Sequence, residues 1–252
     1  YNAAADPGSV LDECLPDFSN FPCFSPDGQA APYNETLKGE LYEIAFSQKL
    51  GAATEAGIGF ARSLRLATVD ELFEGFGPDF RAFSPLKPQT GRNVTVHVSH
   101  VIGAATLRLD AFQNRLRNEI YFNAGSFSTE NLDPTRRRGI TASVSTRLGS
   151  STQVDASAGY QSAQFTAGSN DGNDVPLVAR RVGQISIAHD LDARWQLGLS
   201  SQYTGARRFD NDDSNDFGQR IPSMIRSDAR ISYRQKAWTV TATVLNLSDE
   251  RD

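Results

Sequence analysis

No stretch of the 252 residues approaches the ~20 consecutive apolar residues that a transmembrane helix requires, and mean hydropathy is negative. That absence excludes a membrane helix but leaves a membrane β-barrel open. Barrel strands are apolar only at every second position, so average hydropathy hides them. Methionine is nearly missing, with Met224 alone, and long Leu/Glu/Lys/Ala segments of helical period are absent. Gly, Ser, Thr, Asn and Asp are plentiful instead, the balance of an all-β chain with many turns. A basic surplus is also lacking: 25 Lys and Arg stand against 30 Asp and Glu, a net charge of -5, which argues against a nucleic-acid partner. The two cysteines, Cys14 and Cys23, have no histidine near them and cannot make a zinc site on their own. Nucleophile-elbow, phosphate-loop and metalloprotease-helix motifs are absent. No catalytic residue, metal or cofactor is therefore expected. The chain begins at Tyr1 without a secretory leader and ends at Asp252 without a recognisable closing strand, so a piece of a larger protein is expected at both ends.

What is present is period-two alternation. Trp195, Leu197, Leu199 and Tyr203 alternate with Gln196, Gly198, Ser200 and Gln202. Ala229, Ile231 and Tyr233 alternate with Asp228, Arg230, Ser232 and Arg234, and Trp238, Val240, Ala242 and Val244 with three threonines. The same rhythm runs through Ile140 to Leu148 and Val154 to Tyr160. It predicts about ten strands, near residues 37–50, 53–64, 92–102, 105–123, 138–149, 152–166, 182–191, 194–209, 225–236 and 238–247.

The predicted connections alternate between short and long. Short ones lie near Gly51–Ala53, Gly103, Gly149–Ser151, Leu191–Ala193 and Lys236–Ala237; long ones lie near 65–91, 124–137, 167–181 and 210–224. A soluble sandwich has no reason to gather its long loops at one end, whereas an outer-membrane barrel has short periplasmic turns and long outer loops. The polar faces lack the large apolar residues that a second packed sheet needs. Trp195, Trp238, Tyr160, Tyr203 and Tyr233 stand near strand ends, where amphipathic rings suit the headgroup region. Cys14 and Cys23 lie in a Pro/Asp/Phe-rich loop, and a disulfide between them is the simplest reading for an exported protein.

Several segments, taken in order, resemble the TonB-dependent receptor family. Phe60-Ala61-Arg62-Ser63-Leu64-Arg65-Leu66-Ala67-Thr68-Val69-Asp70-Glu71-Leu72-Phe73 is similar to a family segment that runs aromatic strand, Arg, small-Pro, Glu-Leu, with Ala67 where Pro is usual. Leu86-Lys87-Pro88-Gln89-Thr90 resembles Leu-x-Pro-Glu, with Gln89 for Glu; Phe112 with Asn114 to Ile120 resembles an outward strand; Arg138-Gly139-Ile140 resembles a strand start in which Thr141 replaces Glu. Asp174-Val175-Pro176 matches a family turn in part, and Val244-Leu245-Asn246-Leu247-Ser248-Asp249 closely matches the Asn-Leu-x-Asp signature. The resemblance implies an antiparallel transmembrane β-barrel of about 22 strands, of which this chain would hold roughly strands 12 to 21, with the plug domain absent. Residues 36–252 would be partial barrel, and residues 1–35 an extracellular loop carrying the disulfide.

The resemblance further implies a multi-pass protein of the Gram-negative outer membrane, not an enzyme. It would take up a scarce ligand, a ferric siderophore or a cobalamin-like molecule, energised by TonB through a plug and TonB box. With long loops outermost, arginines gather at the outer rim: Arg65, Arg136, Arg137, Arg138, Arg180, Arg181, Arg207 and Arg208. Two readings stand for them. They recognise an anionic ligand, since guanidinium groups bind carboxylates and phosphates bidentately, or they pair with lipopolysaccharide phosphates and acidic loops. The second is the plainer. The Asp210–Asp216 loop is rich in hard oxygen donors but lacks EF-hand spacing, so a solvated loop pairing with Arg207 and Arg208 is expected over a calcium site. His97, His100 and His189 fall on different strands and are read as structural or lumen residues. The competing architectures are a self-contained ten-stranded outer-membrane protease or lipase, which requires a closed barrel, and a soluble carbohydrate-binding β-protein, which requires a dry core between two sheets.

Overall fold

A computed structural model of the chain describes residues 38–72, 86–126 and 128–250. The alternating segments form β1 (Tyr42–Lys49), β2 (Thr54–Arg65), β3 (Gln89–Ile102) and β4 (Ala105–Arg117). Next come β5 (Ile120–Asn123) and β6 (Ser128–Asn131), then β7 (Thr135–Leu148) and β8 (Thr152–Phe165). β9 (Arg181–Asp190), β10 (Trp195–Thr204), β11 (Met224–Gln235) and β12 (Trp238–Val244) complete the series. Among the described residues the one helix is a single turn, α1 (Val69–Leu72). Ten strands make one antiparallel meander in the order β1-β2-β3-β4-β7-β8-β9-β10-β11-β12, while β5 and β6 form a separate hairpin.

The rhythm of connections follows the sequence reading. Gly103 at φ 58° and Gly149 at φ 64° turn the chain tightly after β3 and β7, in a left-handed conformation that costs glycine little. In the turn before β10, the carboxylate of Asp192 accepts the amides of Arg194 and Trp195 at 2.7 and 2.8 Å, which holds its pKa below the usual value. All the long connections leave from the opposite ends of the strands. The segment expected as one strand over 105–123 is two: Asn118 adopts φ 55°, donates to the carbonyl of Pro88, and ends β4 at Arg117. β10 stops at Thr204, short of Arg207, which joins Ile221 in an isolated bridge. β12 stops at Val244, because Asn246 and Asp249 take positive φ and Asn246 folds back on Glu250 through both its amide oxygen and its amide nitrogen. Asn-Leu-x-Asp is thus a turn clamped to β11, with the amide of Asn246 on Asp228 and that of Leu247 on the carbonyl of Ser227. The expected disulfide of Cys14 and Cys23, and the whole loop 1–35, lie outside the described residues.

Registered partners share a sheet face, so the pairing sorts every side chain. One face carries Phe46 and Ile58, Val98 and Leu109, Ala142 and Ala158, Leu197 and Ile231. These residues are largely uncovered: Phe46 is 62% exposed and Leu199 56%. An apolar face of this extent, left bare, is the face that hydrocarbon covers. Trp195, Tyr233 and Trp238 cluster on it at the short-turn end, with ring centroids 4.7 and 5.5 Å apart, as interfacial aromatics do. The other face carries Glu55, His97, Asp110, Gln184 and Arg230. Among the described residues the one other sheet is the β5–β6 hairpin, and the only hydrophobic cluster is Ala163, Phe165 and Val175, at the outer margin of this face. The carbohydrate-binding sandwich lacks its core. The closed ten-stranded barrel lacks its seam, since β1 and β12 stand at opposite edges of the sheet.

Those edges generate a prediction. Each unpaired backbone polar group costs several kcal/mol in hydrocarbon, and both β1 and β12 expose such a row. Residues 38–250 refolded alone in detergent should therefore show no heat-modifiable migration on a gel. A band that shifts on boiling would mean that these strands close or insert unaided.

Candidate functional site

The outer rim is built where the long strands outrun the membrane. β2, β3, β4, β7 and β8 have 12 to 14 residues, more than the ~9–11 a tilted strand needs to cross. Strand alternation divides the arginine triplet that opens β7. Arg137 lies on the polar face and reaches Glu119 at 2.6 Å, where Thr135 also donates to the same carboxylate. Arg136 and Arg138 lie on the apolar face, in register with Arg115 and Gln113. Arg181 shares that face through its register with Tyr160.

Of the remaining candidate arginines, Arg65, Arg180 and Arg208 are held by acids outside the sheet. Arg180 takes both oxygens of Asp174 at 2.7 and 2.9 Å, a bond that raises its pKa, and Arg220 approaches the same carboxylate at 3.8 Å. Arg208 reaches Asp212 at 3.2 Å and the carbonyl of Asn215 at 3.0 Å. Asp212 is fully buried and also accepts the amide of Phe217. Arg65 pairs with Glu71, which closes a capping box over α1 with Thr68. Burial pushes the carboxyl of Glu71 up, but the bonds from Thr68 and Arg65 together outweigh it and hold the group below its usual value. The eight arginines therefore do not converge on one point. Arg137, Arg180 and Arg208 stand with acids on or above the polar face, and Arg136, Arg138 and Arg181 stand on the other side of the wall.

The loops themselves are tied together. Asn215 accepts the amide of Asp174 and donates to its carbonyl, both at 2.9 Å, while Asn173 donates to the carbonyl of Asp213. The hydroxyl of Tyr121, at the start of the β5–β6 hairpin, donates to Asp210 at 2.5 Å and accepts the amide of Asn211. Asn131 bonds Lys87 reciprocally and reaches the carbonyl of Asn118. The 118–134, 166–180 and 205–223 connections thus form one hydrogen-bonded canopy, seated on Phe165 and Val175. Burial, then the hydrogen bond to Asp210, raises the pKa of Tyr121. Burial raises that of Asp213 as well, reinforced by Glu130, Asp210 and Asp212, and one oxygen of Asp213 is buried without a hydrogen-bond partner.

The pairings of Tyr121, Asn131, Asp174 and Asn215 are not foreseen from the sequence, although Asp174 and Asn215 lie in segments it marks. Their partners lie as many as 90 residues away, and no local pattern signals such pairs. The Asp210–Asp216 loop pairs with Arg208 through Asp212 as expected, but Asp212 is buried where a solvated loop was expected. Among the described residues no group of three His, Cys, Asp or Glu is placed to hold a metal. His100 and His189 bond Thr54 and Thr152 on the neighbouring strands, and His97 stands 4.0 Å from Glu55. Below the canopy, Gln184, Ser186, Ser200, Gln202, Arg226 and Asp228 line a shallow polar groove in the wall.

Comparison with known proteins places this geometry. The model of the family described as "TonB dependent receptor-like, beta-barrel" matches residues 56–247. Among solved structures, the copper transporter OprC superposes with a TM-score of 0.66 at 17% identity, covering 82% of this chain and 33% of its own. The ferric yersiniabactin uptake receptor FyuA from Yersinia pestis gives a TM-score of 0.65 at 16% identity, with 83% and 32% covered. The ferric citrate transporter FecA in its unliganded form gives 0.61 at 17% identity, with 83% and 33% covered. The chain thus spans about a third of the length of these receptors.

Two predictions follow from the canopy. Arg208→Ala strands the buried Asp212 charge, a change that typically costs about 3–5 kcal/mol. Limited proteolysis of the variant should open the 205–223 connection, with the strands untouched; a digestion pattern like that of the parent would show that the pair does not hold the loop. Asp213→Asn acts in the opposite direction. Because the carboxyl has a raised pKa, the closed loop binds its proton more tightly than the open loop does. Its stability therefore falls as pH rises from the ordinary Asp value through the raised one. Hydrogen-exchange protection over 205–223 should be severalfold higher in the variant at neutral pH and should match the parent in acid.

Proposed function

This chain belongs to the TonB-dependent receptor β-barrel family, whose barrels lie in the outer membrane of Gram-negative bacteria, and from that premise we propose that it forms wall and outer rim of an uptake receptor. The ligand proposed is a scarce, bulky nutrient captured from outside the cell, a ferric siderophore ahead of a cobalamin-like molecule. Transport would be energised by TonB acting through a plug domain and TonB box, which the described strands do not supply. Lipopolysaccharide surrounds the wall. No catalytic role is proposed.

One observation carries this reading. The described connections 118–134, 166–180 and 205–223 gather at one end of the strands and are knitted into a canopy that holds cations there. Guanidinium groups already engaged by carboxylates can exchange them for the carboxylates of an anionic chelate, and their bidentate geometry suits that exchange. Arg137, Arg180 and Arg220 occupy such positions, with Arg208 behind them as a support for the loop. The solved relatives support an iron chelate in this way only: two carry ferric ligands in their names and one carries copper.

The test uses the complete receptor in outer membranes and ferric citrate as the probe of a carboxylate chelate. Losing a charge-assisted hydrogen bond costs roughly 1.5–3 kcal/mol, so combining Arg137→Gln with Arg180→Gln should weaken binding by at least tenfold. Arg147→Gln, near the short turn after β7, should leave it unchanged. Equal binding by the paired variant and the parent would remove these arginines from the ligand site.

A further inference from the structure

One carboxylate in the canopy stands between two guanidinium groups. Arg180 grips both oxygens of Asp174 at 2.7 and 2.9 Å, and Arg220 approaches from the 205–223 connection to 3.8 Å. The three side chains differ in exposure. That of Asp174 is 17% exposed, whereas those of Arg180 and Arg220 are 47% and 43% exposed. The acid therefore lies inward and the cations outward, so a solute meets guanidinium first. Two cations face one anion, and the group keeps a net positive charge.

The backbone of Asp174 is held by other means. Its amide donates to Asn215 and its carbonyl accepts from Asn215, each at 2.9 Å, while the next residue, Val175, is buried against Ala163 and Phe165. The clamp between the 166–180 and 205–223 connections thus does not use the Asp174 carboxylate. That carboxylate can leave Arg180 by rotation about its own side-chain bonds with the backbone in place. Water reaches both arginines, so the ion pairs add little to the stability of the fold. What the carboxylate does is occupy, on both oxygens, the geometry that a ligand carboxylate would need.

We infer that Asp174 is a built-in competitor, whose carboxylate fills the Arg180–Arg220 site until a ligand with several carboxylates displaces it. The inference rests on the reading of these arginines as ligand groups. A carboxylate tethered six residues from its partner competes at an effective concentration of about millimolar or higher. A free monocarboxylate meets that competition with a single contact and loses. A chelate that carries several carboxylates engages Arg180 and Arg220 together, and the two contacts reinforce each other. Asp174 thereby sets a threshold that small anions do not pass, and the site selects ligands by their number of acid groups.

The experiment measures ferric citrate binding by the complete receptor in outer membranes at fixed ionic strength, with sodium acetate and sodium chloride as competitors. Asp174→Asn keeps the shape of the side chain and the Asn215 clamp but removes the charge. It should bind ferric citrate about fivefold more tightly than the parent, the opposite sign to loss of a ligand contact. Acetate at tens of millimolar should compete better than chloride in this variant and no better than chloride in the parent. Asp174→Glu retains the carboxylate and should bind as the parent does. The combined variant Arg180→Gln, Arg220→Gln should bind more weakly, and adding Asp174→Asn to it should change nothing, since no cation is left to compete for. Equal or weaker binding by Asp174→Asn, with binding weakened in the arginine variant, overturns the competitor and leaves the ligand reading standing. A gain that Asp174→Glu shares, or that persists without the two arginines, also overturns the competitor. Parent-like binding by the arginine variant, or no binding by either the parent or Asp174→Asn, overturns the ligand reading and the competitor with it. Heat-modifiable migration is read on every sample. Should Asp174→Asn lack it, Asp174→Ser carries the same expectation, and binding no tighter than the parent's would count against the competitor.

Discussion

The hydrocarbon interior of a membrane leaves a backbone no partner but itself, and the rest of this structure depends on that constraint. It is met by an antiparallel ladder in which each strand pairs with its sequence neighbour, interrupted only where β5 and β6 branch into a hairpin of their own. A meander of this kind needs only tight turns on one side. On the other side the chain is free to lengthen, because those connections meet water and no longer share in the pairing. The division between short turns and long loops is thus a consequence of the ladder, and so is the gathering of the candidate ligand residues at one end.

The same ladder assigns faces with a period of two. Three consecutive arginines at the start of β7 look like one basic patch in the sequence, yet they serve two sides of a wall. Arg137 meets Glu119 beneath the canopy, while Arg136 and Arg138 continue the apolar face upward. A slip of one residue in the register would place Ile140 and Val144 toward water and Arg137 toward lipid, so the hydrophobic pattern and the charge pattern specify the same alignment.

The strands were legible in the sequence because alternation is local. β2, β8 and β11 lie within a residue or so of where Ile58 to Phe60, Val154 to Tyr160 and Ala229 to Tyr233 place them. Strand ends were less legible. Asn118 and Asn246 break β4 and β12 by adopting positive φ, and an asparagine in a polar stretch does not announce which conformation it takes. The canopy was not legible at all. Tyr121 meets Asp210 across 89 positions and Asn215 meets Asp174 across 41, so their chemistry exists only once the ladder has carried both loops to the same end.

The two sides of the rim also differ in how their charges are answered. On the polar side nearly every candidate arginine has an acid from a loop: Glu119 for Arg137, Asp174 for Arg180, Asp212 for Arg208. These acids come from the connections that the ladder brings together at one end of the strands. On the other face Arg92, Arg115 and Arg136 stand in register with one another, and among the described residues no ion pair engages them. The chain's own acids are thus placed by the path of its loops, and those three arginines lie where the described path brings none.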